Sequence, residues 1–273
     1  IEPLFLESFT KEKEDIVFSI LPTATQYARN SFFSGLLPSE MAKKFPTLWK
    51  NEEDEGGKNM HEKDFLEANL KRLGKNIKWS YNKITNLEAG KKLNNQFNTI
   101  KDNDLNFIVY NFVDMLSHAR TEMEMIRELA SDEAAYRSIT LSWFKHSPLS
   151  DIVKKVADNN MKLIITTDHG TIRVKNPIKV IGSKSTNSNL RYKVGRGLSY
   201  NEKEVFVVNS PQDAFLPQTK LSSEYLFAGS EDFFVYPNNY SHYVNYFTNT
   251  FQHGGISLEE MLIPYVELNP KVK

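Results

Sequence analysis

Residues 161–170, MKLIITTDHG, are the stretch on which the fold reading turns. A short, β-branched apolar run ends in an acid, an imidazole and a glycine. The run reads as a strand covered on both faces. Asp168 and His169 at its end are costly to bury unless they are paired or ligated. Gly170 lets the backbone turn tightly, so that adjacent side chains can converge. Runs of the same character occur at residues 16–20, 105–113 and 204–208. Between the runs lie amphipathic segments at 26–35, 61–73, 87–97, 122–129 and 134–158. Strands alternating with helices predict a three-layer α/β domain around a mostly parallel central sheet. In such folds functional groups gather at the carboxyl ends of the strands.

Composition narrows the function classes. Hydrophobic residues are 40% and charged residues 25% of the 273, which excludes disordered, collagen-like and coiled-coil chains. The 34 Lys plus Arg balance the 34 Asp plus Glu, so no overall charge draws the chain to nucleic acid or to an anionic membrane. With no cysteine there is no disulfide, thiolate nucleophile or Cys-based zinc site. No apolar run approaches the ~18–20 residues of a membrane span, and charges crowd residues 11–15 where a signal peptide would be apolar. The expectation is a cytoplasmic protein. No linker is visible, so residues 1–273 read as one domain. Residues 47–60 read as a charged surface loop, and 170–204 as a hairpin with a mobile basic loop.

Chemistry-bearing residues follow the apolar runs. After 16–20, Pro22 breaks the strand and Thr25 falls near the N-cap of a helix. There a hydroxyl sits beside unpaired N–H groups and the positive end of the helix dipole, a natural anion site. Simple capping is the competing reading. After 105–113 come Asp114 and His118, spaced so that both can face one metal from a single helical turn. Near the C-terminus, His253 precedes Gly254 and Gly255 in a loop. Each imidazole alone reads as structural. Together they carry more weight, because three of only six histidines lie at such junctions and two of them have an aspartate partner. His61, His146 and His242 lack this setting. Oxygen and imidazole ligands without thiolate suit Zn²⁺, with Mn²⁺ as the alternative.

The stretches ILPTATQYARNSFFSG, NFVDMLSHARTEME, TTDHG and NTFQHGGISLEEMLIP, in this order, resemble the PglZ domain of the alkaline phosphatase superfamily. They are most similar to the C-terminal effector domains of PorX-type response regulators, which are linked to type IX secretion. The resemblance spans nearly the whole chain. It implies an alkaline-phosphatase-like fold and two zinc ions. Thr25 matches the nucleophile and a ligand of one metal, with Asp168 and His169 as further ligands of it. Asp114, His118 and His253 match the ligands of the other metal. Asn30 and Arg29 lie on the nucleophile helix, where the superfamily places groups that touch phosphoryl oxygens. An upstream aspartate ligand has no counterpart before Ile16, and the chain opens with Ile1. The resemblance therefore implies an amino-truncated fragment with a weakened nucleophile-side site.

The implied chemistry is phosphodiester hydrolysis through a covalent phosphothreonine. The substrate expected is a nucleotide or short oligonucleotide. Arg191 and Arg196 of the basic loop are candidates for holding it, against the alternative of a solvated loop. The rival function is a zinc-stabilised signalling module that binds a protein partner such as a transcription factor. A sensor kinase and a homodimer are further partners that the resemblance suggests.

Overall fold

The computed structural model describes residues 2–52, 54–113, 115–116, 123–130, 132–183, 186–218 and 222–271. Its elements run α1 (Glu2–Phe5), β1 (Phe9–Phe18), α2 (Thr25–Ser34), α3 (Pro38–Lys44), α4 (Glu62–Arg72), β2 (Trp79–Ile84), α5 (Leu87–Asn95), β3 (Leu105–Tyr110), α6 (Glu124–Leu129), α7 (Glu133–His146) and α8 (Pro148–Asp158). They continue with β4 (Leu163–Thr166), β5 (Ile172–Arg173), β6 (Asn176–Lys179), β7 (Tyr192–Gly195), β8 (Phe206–Val208), β9 (Glu224–Phe227), β10 (Asp232–Val235), α9 (Tyr240–Phe247), β11 (Phe251–Gln252), α10 (Leu258–Met261) and β12 (Leu262–Pro270). Among the described residues, no helix is long and apolar enough to cross a membrane.

Two compact units share the chain. One comprises Ile1–Ile16, Asn76–Thr166 and Pro264–Lys273; the other comprises Val17–Lys75 and Thr167–Ile263. Both are assembled from separated segments, so no linker marks a boundary in the sequence.

The first unit holds the parallel pair β2–β3, in register from Trp79↔Leu105 to Ile84↔Tyr110. It also holds most of a sheet ordered β1-β12-β4, with β12 antiparallel to β4. Phe9, Ile84, Leu93, Phe97, Phe144, Ile152 and Leu268 form its core. The 134–158 segment is two helices rather than one. Pro148 cannot continue α7, and it opens α8 at the first position, where its missing N–H is no loss. Residues 16–18 are not covered on both faces as expected: Ile16 and Phe18 stay 72% and 70% exposed. They end a long strand whose KEKED half is solvated, and that strand lies at the end of its sheet order.

The second unit holds β10 parallel to β6, β11 antiparallel to β5, and the antiparallel sheet β7-β9-β8. The strand expected at 204–208 is β8 of this antiparallel sheet, whereas β2–β3 and β6–β10 pair in parallel. α2 packs against α3 and α4. Tyr27, Met41, Trp49, Tyr192, Tyr225 and Phe227 form one core cluster around α2. The 47–60 segment is tied to α2 rather than loose. Gln26 donates to the Lys50 carbonyl, Asn30 Nδ2 donates to the Lys58 carbonyl at 3.1 Å, and the Tyr27 hydroxyl donates to Glu52 at 3.1 Å.

Candidate active site

Thr25 is the first residue inside α2, not its cap. Ala24 takes the N-cap place in extended conformation (φ −130°, ψ 142°) and offers no side-chain cap. The Thr25 hydroxyl lies 3.2 Å from His169 Nε2 instead. It remains at the positive end of a ten-residue helix. Gly35 closes that helix at φ 62°, its N–H on the Ser31 carbonyl, in the left-handed region that glycine enters freely.

His169 follows the end of β4, nearly buried, with Nδ1 3.0 Å from the Gly170 carbonyl. A carbonyl can only accept, so the proton belongs on Nδ1 and the lone pair of Nε2 faces Thr25. Gly170 is required at this turn. Its N–H donates to the Glu260 carbonyl at 2.9 Å, and a Cβ there would fall 2.0 Å from the Glu259 oxygen. Asp168 accepts from Arg29 Nε at 3.1 Å, and its Oδ2 lies 3.7 Å from His169 Nε2. Burial alone would push the Asp168 carboxyl up. The electrostatic influence of the adjacent His169, and then of the Arg29 guanidinium, outweighs that and holds it below the ordinary value. Arg29 also reaches the buried Glu62 at 3.5 Å.

His253 stacks on His169, ring centroids 4.0 Å apart and planes 16° from parallel. Its Nδ1 lies 3.1 Å from the Thr23 carbonyl, which assigns the lone pair to Nε2 in this ring too. The loop carrying it is fixed from beneath. Buried Thr23 donates to the Gly255 carbonyl at 2.8 Å and accepts from Gly254 N–H at 3.0 Å. A Cβ on Gly255 would meet the Ala228 carbonyl oxygen at 2.4 Å. Glu260, fully buried, accepts from the N–H groups of Gly255 and Ser257 and from the Ser257 hydroxyl. Arg191 completes it with two parallel bonds of 3.0 and 2.6 Å.

The structure thus brings Thr25, Arg29, Asp168, His169 and His253 together, while Asp114 and His118 lie outside the described residues. Arg191 is a correction. The expected substrate-binding arginine has no exposed surface, and its guanidinium is spent on Glu260 and the carbonyls of Gly229 and Asp232. The basic loop is largely interior. Lys193 beside it is also buried, donates to the Asn187 carbonyl and is pushed down to about 7 by burial. Arg196 is exposed. Asn30 is 1% exposed and gives its amide N–H to Lys58. Arg29 is turned to Asp168 and Glu62. Sequence reading missed Thr23, Glu62 and Glu260. Only Glu260 carried a signal, as the last residue of the Ser257–Glu260 capping box that opens α10.

Among the described residues no cluster of three or more His, Asp and Glu side chains is close enough to hold a metal ion alone. The donor chemistry nonetheless fits a zinc-type cation. Asp168 supplies a carboxylate, and His169 and His253 each turn Nε2 from the backbone carbonyl that fixes Nδ1. An imidazole fixed through one ring nitrogen on a backbone carbonyl presents the other nitrogen as metal-binding histidines do.

Comparison with known proteins supplies the family. Residues 3–268 match the BREX system PglZ alkaline phosphatase-like domain, and the chain belongs to that family. No curated protein matches the sequence. Its fold is similar to that of phosphonoacetate hydrolase from Sinorhizobium meliloti 1021. In the complex with phosphonoformate the TM-score is 0.55 at 12% identity, covering 94% of this chain and 81% of the other. In the complex with phosphonoacetate it is 0.56 at 11%, covering 97% and 86%.

Proposed function

We propose that this chain is a metal-dependent phosphodiesterase-type hydrolase in which Thr25 is the nucleophile and His169 its proton acceptor. The observation that supports the reading most directly is the 3.2 Å contact between the Thr25 hydroxyl and His169 Nε2. The Gly170 carbonyl on Nδ1 keeps the accepting lone pair aimed at that hydroxyl. Thr25 Oγ1 attacks phosphorus, its proton passes to Nε2, and the leaving oxygen departs with its electron pair. The resulting phosphothreonine is then hydrolysed by water. Asp168 stays ionised beside the imidazole and stabilises its cationic form, as the depressed carboxyl requires. The N-terminus of α2 stabilises negative charge on the phosphoryl oxygens. Asp168 and His253 would contribute to holding a divalent cation, which would supply Lewis acidity to the reacting oxygens, while the one lone pair on His169 Nε2 serves Thr25.

The substrate proposed is a nucleotide or oligonucleotide diester. The biological setting proposed is the effector domain of a cytoplasmic PorX-type response regulator, supported by the motifs around Thr25, Asp114, Asp168 and His253. Turnover of bis(p-nitrophenyl) phosphate by zinc-supplied protein tests the chemistry. Thr25→Ala should lower it about 10³-fold or more, with phosphonoacetate the poorer substrate. Full activity of Thr25→Ala would remove threonine from the mechanism, and preference for phosphonoacetate would redirect the substrate class to phosphonates.

A further inference from the structure

We propose that Arg173 anchors an anionic oxygen of the substrate at the candidate site, an inference that rests on the phosphoryl-transfer reading above for its biological meaning. Arg173 ends β5, four residues after His169, and pairs across the β5–β11 ladder with Phe251, two residues before His253. The ladder continues through Val174 N–H to the Thr250 carbonyl, at 3.0 Å. Side chains alternate across it. Ile172 and Val174 point into the core formed with Phe233 and Val235, so Arg173 takes the opposite face. The same short ladder joins the two segments that deliver the stacked imidazoles of His169 and His253.

The guanidinium Nε of Arg173 is buried and has no hydrogen-bond partner among the described residues. Burying such a donor without an acceptor is unfavourable, and native structures rarely tolerate it without reason. Arg191, a fully buried arginine of the same unit, has its carboxylate. An oxyanion supplies what Arg173 lacks: a phosphate or phosphonate oxygen accepts from the planar fork with charge assistance. The ligand class is therefore a phosphoryl or phosphonyl oxyanion, bound by Arg173 beside the imidazole pair.

Inorganic phosphate is the probe, titrated calorimetrically into zinc-supplied wild type, Arg173→Met and Arg173→Lys, with melting temperatures measured in parallel. Expected are phosphate binding about 10-fold or more weaker in Arg173→Met, partial retention in Arg173→Lys, and a melting temperature no lower than wild type. In diesterase assays KM should rise far more than kcat falls. Equal phosphate affinity in wild type and Arg173→Met overturns the proposal, as does no binding to wild type. A fall in melting temperature with unchanged affinity assigns Arg173 a structural role instead. Phosphate binding that depends on Arg173, in a protein without diesterase turnover, leaves this inference standing and rejects the proposed reaction.

Discussion

Arg29 and Arg191 look alike in the sequence, each an arginine close to a candidate site motif, yet they are built into opposite situations. Arg191 is closed. Its side chain and that of Glu260 have no exposed surface, and they meet in two parallel bonds. Glu260 also accepts from the Gly255 and Ser257 N–H groups, and Arg191 also donates to the Gly229 and Asp232 carbonyls. Arg29 is shared between two carboxylates, at 3.1 Å to Asp168 and 3.5 Å to Glu62, and keeps a tenth of its side chain exposed. A saturated pair with a fixed geometry serves as a fastening, here for the loop that carries His253. A divided pair sets the charge state of the residue it touches, here Asp168. What separates the two roles is where each guanidinium finds its acceptors.

Cutting the saturated pair should produce the largest effect. Glu260→Ala leaves the Arg191 guanidinium buried without its carboxylate and removes the acceptor for Gly255 N–H, Ser257 N–H and the Ser257 hydroxyl. The expected loss is about 3–5 kcal/mol in urea unfolding. Arg29→Met should cost about 1–2 kcal/mol by the same measurement. Equal costs for the two variants would erase the distinction.

The local elements around the candidate site were more legible than the ties that hold them. Pro22 and Gly35 bracket α2 and place it within a residue, because helix punctuation acts through the chain's own backbone. Asp168, His169 and Gly170 fall at the end of β4 as the apolar run predicts. Arg191 and Glu260 are separated by 69 positions and leave no periodic trace of their pairing. The solvated half of β1 was invisible for another reason. A strand with nine exposed residues in ten has no apolar alternation to read. The break between α7 and α8 is marked in the sequence by Ser147-Pro148, although apolar spacing continues across it and reads as one helix. Phosphoryl-transfer chemistry drew attention to Arg191 by charge alone, whereas its burial is a tertiary fact.

Gly170→Ala probes a different kind of fixation on the Asp168 side. The new Cβ would lie 2.0 Å from the Glu259 carbonyl oxygen, a backbone atom that cannot rotate away. The turn must open, at about 1–3 kcal/mol or more. The Gly170 carbonyl that holds His169 Nδ1 moves with it. Stability and diesterase turnover should therefore fall together. Gly57→Ala is the useful contrast, since its nearest contacts are with the flexible Met60 side chain. Retention of both properties by Gly170→Ala would mean that the Asp168-His169 turn is not held by this backbone approach.

The smallest expected effect lies in the acid limb of the stability curve, measured with a chelator so that no cation competes for Asp168. In the folded chain this carboxyl is held below its ordinary value of 3.8. A carboxyl depressed on folding binds fewer protons in the native state than in the unfolded one. It therefore contributes stability that is present above the unfolded value and is lost as pH falls through the folded value. Arg29→Met removes one of the two groups responsible, while the burial that favours the neutral acid remains. The carboxyl should rise, and acid unfolding should begin at higher pH, by a few tenths of a unit to about one unit. Arg196→Met removes the same charge from an exposed position and should leave the midpoint in place. If Arg29→Met and Arg196→Met unfold at the same pH, the divided arginine does not govern Asp168. Arg29 would then be a fastening of the same kind as Arg191, only a looser one.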